Sequence, residues 1–211
     1  MDTKKTLLSA NIVLVTNNID PSMYNDIWFV KKGVFGMDEI APGSINVPGF
    51  TNITSNDCQI TIVPNQIQIK FNDINNIVEC LDKRIKTLLI HVQSFSKALG
   101  INFVWKISDN SQDISSFSHA IFGQEKEGIY SYFTNPDSKL GAYFSQDIDK
   151  DIRLKLDIKP IEIRESEDKV ENVLMASFNY HHNCDKEDNL WAQLEKWNKL
   201  KEITDHILCL I

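Results

Sequence analysis

Glycine is scarce in this chain, with 8 copies in 211 residues where an ordinary usage of roughly 7 % gives about 15. Loops that wrap a phosphate need closely spaced glycines, so that backbone N–H groups can approach the ligand. Neither the dinucleotide fingerprint nor the P-loop occurs, and the strand–Ser–helix elbow, the zincin histidine pair and the kinase signatures are also missing. No cofactor is therefore expected. Cysteine is sparse too. Cys58, Cys80, Cys184 and Cys209 are far apart and show no paired spacing, which suits reduced thiols better than a disulfide frame. No apolar run approaches the ~18 residues needed to cross a bilayer. The opening run MDTKKTLLSANIVLVTNN is broken by Ser9 and Asn11 and carries no small-residue cleavage site. These absences predict a cytoplasmic protein that does not contact a membrane. The many isoleucines and asparagines suggest an AT-rich genome, bacterial or viral.

Charge is present but unevenly placed. Residues 1–105 hold 9 basic and 9 acidic groups, so the net −7 falls entirely on residues 106–211. Asp147–Glu171 alone carries nine acidic and six basic groups. Such a half repels phosphate backbones, so nucleic acid is not an expected partner, whereas a basic protein surface is. Lys31-Lys32 falls in an expected strand. Lys83, Arg84 and Lys86 read as solvated charges on a helix, paired with Glu79 and Asp82.

Apolar periodicity predicts an α+β fold in one domain spanning 1–211: a largely antiparallel sheet packed on one long central helix, followed by a long C-terminal helix. Asn11–Thr16 and Ile27–Phe35 read as strands, and 36–56 as a long surface loop containing Pro42-Gly43 and Pro48-Gly49. Residues 58–63 and 66–71 alternate with period two around Pro64-Asn65 and predict a hairpin with one buried face. The stripe Ile74, Ile77, Val78, Leu81, Ile85, Leu88, Val92, Phe95, Leu99 predicts a helix of about seven turns, capped by Asp73 and stopped by Gly100. Strands are expected at 101–107, 129–134, 140–145, 152–163 and 172–180, with a short helical or irregular piece at 117–122. No repeat of 20–50 residues is visible.

The densest chemistry lies in FNYHHNCDKED, 178–188. On a strand His181 and His182 point to opposite faces, so both can bind one ion only if the strand has ended. His181, His182 and Cys184 are metal-ligand candidates, yet zinc wants four ligands and the others would have to come from elsewhere. His182, His119 and Asp185 are the acid–base candidates of an alternative reading, a small cofactor-independent enzyme. The favoured reading is a non-enzymatic binding protein: an accessory subunit, or an inhibitor or immunity-type protein of a bacterial or viral complex. It rests on the missing motifs, the acidic half and the last helix, expected over 189–211. There the apolar stripe rotates part-way along, so the first half docks on the core. Leu200, Ile203, Ile207, Leu210 and Ile211 then face a protein partner or a second copy.

Overall fold

A computed structural model describes residues 3–109, 113–123, 131–166, 169–184 and 190–211. Its frame is one antiparallel sheet of nine strands in the order β2-β3-β4-β5-β1-β6-β9-β8-β7. The strands are β1 (Thr3–Thr16), β2 (Ile45–Val47), β3 (Phe50–Thr54), β4 (Cys58–Val63), β5 (Gln66–Phe71), β6 (Ser96–Asp109), β7 (Ala142–Asp149), β8 (Ile152–Ser166) and β9 (Lys169–Asn183). The helices are short: α1 (Asp26–Lys31), α2 (Ile77–Cys80), α3 (Lys86–Val92), α4 (Ile114–Phe122), α5 (Leu190–Leu194) and α6 (Trp197–Cys209). A π turn, Leu81–Ile85, joins α2 to α3.

The expected sheet on one long central helix is thus overturned: the molecule is mostly sheet, and its helices are brief. Leu99, placed by its spacing on the central helix, belongs to β6 and pairs with Leu14. In Leu99, Ile101 and Phe103 the period-two pattern of a strand overlaps the tail of the period-3.6 stripe, and pairing with β1 decides between them. Gly100 stops no helix; it lies inside β6, where a Cβ would meet the Asn179 side chain at 3.3 Å. The single C-terminal helix is likewise two, broken after Leu194.

Ile27–Phe35, expected as a strand, contains α1 instead. Asn25 caps it by accepting from the Trp28 amide, and this local bond outweighs the β-propensity of Ile, Val and Phe. Lys31 and Lys32 therefore end a helix. The expected loop at 36–56 holds β2 and β3, turned by Pro48 and by Gly49 at φ +80°. Residues 131–134 are not a strand, while 129 and 130 lie outside the described residues.

The strand order repeats. Outward from the centre, β1-β5-β4-β3 on one side matches β6-β9-β8-β7 on the other. Each half runs long strand, helical connection, three-strand meander, helix. A two-fold axis between antiparallel β1 and β6 would relate them, with β2 added on one side only.

One sheet face is buried and the other open. Across the buried face runs the row Ile53, Ile60, Ile69, Ile12, Ile101, Tyr180, Leu154, each opposite the next. The neighbouring row on the open face reads Thr54, Gln59, Lys70, Asn11, Asn102, Asn179, Lys155, Ser145. Asn102 donates to Asn11 at 2.8 Å and Asn179 donates to Asn102 at 2.6 Å, forming an amide ladder over the central strands. Helices cover the first face, and each large side chain fully buried there contributes about 1.5–3 kcal/mol. Trp197 of α6 lies against Phe71 and Phe103, with centroids 5.4 and 4.8 Å apart.

Arg84 is not the solvated charge expected from the sequence. It is buried at 5 % exposure in the π turn and donates to the Val34 carbonyl, to Asp57 and to Glu39. This cation pins the 34–39 loop and the start of β4 to the helical layer. Arg84, with the Gly36 amide behind it, holds the Glu39 carboxyl down to about 2. A depressed carboxyl supplies stability that is complete above its unfolded value, near 4.5, and lost as pH falls toward 2. Urea titrations should therefore show Arg84→Ala less stable by about 2–3 kcal/mol. Glu39→Gln should flatten the acid limb of stability between those two pH values.

Candidate functional site

An apolar concave surface lies where the helical layer stops short of the β7 edge. Its volume is about 670 Å³. Leu154, Leu156 and Ile158 of β8 form its floor, Ile121 and Phe122 of α4 one wall, and Ile207, Leu210 and Ile211 the other. Register explains the strand side. Phe144 pairs with Leu156 and extends the buried row Ala10, Phe103, Phe178, Leu156 onto β7, where described residues no longer cover it fully. Phe144 is 54 % exposed, Tyr143 62 % and Leu210 75 %. Among the described residues β7 pairs only with β8 and ends the sheet. The site therefore combines an apolar trough with a strand edge whose outward backbone groups have no ladder partner among the described residues.

The C-terminal helix supplies the far wall. Trp197, Leu200, Thr204 and Leu208 are its buried stripe, at steps of three and four. Tyr180 meets Thr204 by hydroxyl contact at 2.7 Å, and Thr204 donates to the Leu200 carbonyl. Burial raises the Tyr180 phenol to about 12, so it stays protonated throughout the physiological range. Lys5 of β1 donates to the Leu208 carbonyl at 2.6 Å, closing the negative end of α6. Docking on the core thus continues to Leu208 rather than ending before Leu200. Of the five residues expected to meet a partner, Leu200 is buried at 3 %, and Ile203 is half-buried against the core. Ile207, Leu210 and Ile211 open onto the trough.

The histidine-rich stretch is the end of β9. His182 sits in a core row between Leu99 and Ile152, buried at 4 %, and its Nδ1 bonds the Asp151 carbonyl at 2.7 Å. His181 points to the other face, where Nε2 meets the Asn183 side chain at 3.0 Å. It borders a polar hollow of about 450 Å³ with Lys150, Asp151 and the exposed Asp147–Arg153 ion pair. Cys184 donates its amide to the Lys97 carbonyl, and its thiol lies 3.9 Å from the His182 carbonyl. Asp185 lies outside the described residues. His119 is on α4, with Nε2 buried and unpartnered among the described residues. No group of three or more His, Cys, Asp or Glu side chains able to hold a metal occurs among the described residues. The candidates are therefore spread over both sheet faces and a separate helix.

The aromatic pair Tyr143-Phe144 was not legible as a site. Adjacent aromatics on a strand place one ring on each face, and only the sheet order reveals that this strand is an edge. No protein-family model matches the chain, and no curated protein sequence matches it. No helix of the described residues is long and apolar enough to cross a membrane.

The opposite faces of the two histidines have a measurable consequence. His182→Ala opens a void in a core row and removes a buried bond, so urea denaturation should show a loss of about 2–3 kcal/mol. His181→Ala should stay within about 0.5 kcal/mol of the parent.

Proposed function

We propose that the protein is a non-enzymatic binding protein that takes an extended, apolar segment of a protein partner at the β7 edge. The observation that carries this reading is the apolar trough beside a strand edge left open among the described residues, with Phe144 and Leu210 exposed at its rim. A segment added alongside β7 gains main-chain hydrogen bonds from the edge, and alternate side chains drop into the trough. The net negative charge of residues 106–211 favours a partner whose segment is flanked by basic residues. The enzyme alternative has less support, because His181 and His182 stand on opposite faces and His119 belongs to a separate helix.

A displayed library of random peptides tests the proposal directly. Selection on the intact chain should enrich sequences that alternate apolar residues and carry Lys or Arg at an end. Phe144→Asp and Leu210→Asp, both at exposed positions, should leave the fold within about 0.5 kcal/mol and weaken those peptides about tenfold or more. Failure to enrich any sequence, or affinities indifferent to both substitutions, overturns the reading. Sedimentation of the intact chain is the companion measurement. Self-association abolished by the same substitutions replaces the foreign segment with a second copy.

A further inference from the structure

A further cavity, of about 360 Å³, is lined only by residues that precede β6. That volume suits a small ligand. Its walls are set by the backbone. The Asn17 amide donates to the Phe95 carbonyl at 2.7 Å, the Ile19 amide to the Pro64 carbonyl at 2.8 Å, and the buried Thr51 hydroxyl to the Pro21 carbonyl at 2.7 Å. The stretch leading into α1 is thereby tied to the β4–β5 turn and to β3, and the cavity stands ready-formed. Trp28 anchors its aromatic wall. The Tyr24 ring lies 4.7 Å from the Trp28 ring at 59°, and the His91 ring lies 5.7 Å from it at 78°. Rings at such angles enclose a corner instead of stacking flat. Met23 and Phe95, both exposed, complete the lining on this side. Two opposite charges, Asp20 and Lys32, border the same cavity, and neither is in an ion pair among the described residues. Asp20 Oδ1 accepts from the Ser22 amide at 3.0 Å and from the Ser22 hydroxyl at 2.7 Å. Those bonds fix the carboxyl and hold it below its usual range, so it stays charged. A simple cation here would meet Lys32 and a simple anion would meet Asp20; a molecule carrying both charges answers both.

We propose that this cavity is a binding site for a small zwitterion whose cation is a quaternary ammonium, with the cation in the Trp28 corner beside Asp20 and the anionic end on Lys32. A quaternary ammonium donates no hydrogen bond, so an indole face and a nearby carboxylate satisfy it without an array of acceptors. A primary ammonium has three donors to place and would find chiefly the one carboxylate. Lys32 acts as a point charge for a carboxylate or a phosphate. The trough at β7 shares no residue with this cavity, so neither reading rests on the other.

The test uses the full chain with phosphocholine and with glycine betaine, read by saturation-transfer magnetic resonance at the N-methyl protons. Transfer is expected for at least one of them, with a Kd of about 1 mM or tighter. The tert-butyl isostere of phosphocholine, with carbon in place of nitrogen, should bind about tenfold more weakly or worse, because it keeps the shape and loses the cation. Asp20→Asn and Lys32→Gln, both at exposed positions, should each weaken the probe about fivefold or more while the thermal midpoint stays within about 2 °C of the parent. Vesicles of phosphatidylcholine distinguish the two sources of this chemistry. Co-sedimentation that free phosphocholine blocks makes the ligand a lipid headgroup; probe binding without co-sedimentation makes it a soluble molecule. Absence of transfer from both probes at about 10 mM overturns the proposal. So does transfer indifferent to both substitutions, or equal binding of the isostere.

Discussion

The pairing of β1 with β6, from Thr3 opposite Asp109 to Thr16 opposite Ser96, is the constraint on which the rest of the architecture depends. Each half of the sheet is a meander built outward from one of these strands. Separately, each half would show a long strand edge and bury little. Joined, they align the isoleucine row on one face and the asparagine row on the other. A slip of one residue would put Asn11 and Asn102 into the core and Ile12 and Ile101 into water. Interruptions near Leu7 and Thr16 confine the regular pairing to the stretch where both rows are strict.

The two halves differ in how their outer strands are finished. In the first half, α1 and the following loop bring Phe29, Val34 and Phe35 into the core, and Arg84 locks that loop by charge. In the second half, α4 contributes Ile114 and Phe117 to the core but leaves Phe144 uncovered among the described residues. The trough is thus the place where a repeated plan received unequal covering.

Much of the sheet was legible because alternation is a local property. Residues 58–71 and 172–180 declare their faces residue by residue, and both lie in strands whose buried side is as read. Helix extent was less legible. Whether Leu99 continues a helix depends on its partner Leu14, 85 positions earlier, and no local spacing records that. Arg84 illustrates a second limit: its partners Val34, Glu39 and Asp57 lie up to 50 positions away, so a buried cation looked like a solvated one. On α6 the rotating stripe was real, but Thr204 filled its gap as a buried hydroxyl under Tyr180, which extended the docked face to Leu208.

The central position of β1 has a consequence for synthesis. During translation β1 through α3 emerge before β6 and can close their own meander, with β1 paired to β5 on one side. The other side of β1, flanked by Ala10, Ile12 and Leu14, has no partner until β6 leaves the ribosome. A nascent chain paused between Val92 and Asp109 therefore presents an apolar, hydrogen-bond-hungry edge at what will become the middle of the molecule. How long that edge stays open is set by the time needed to translate β6.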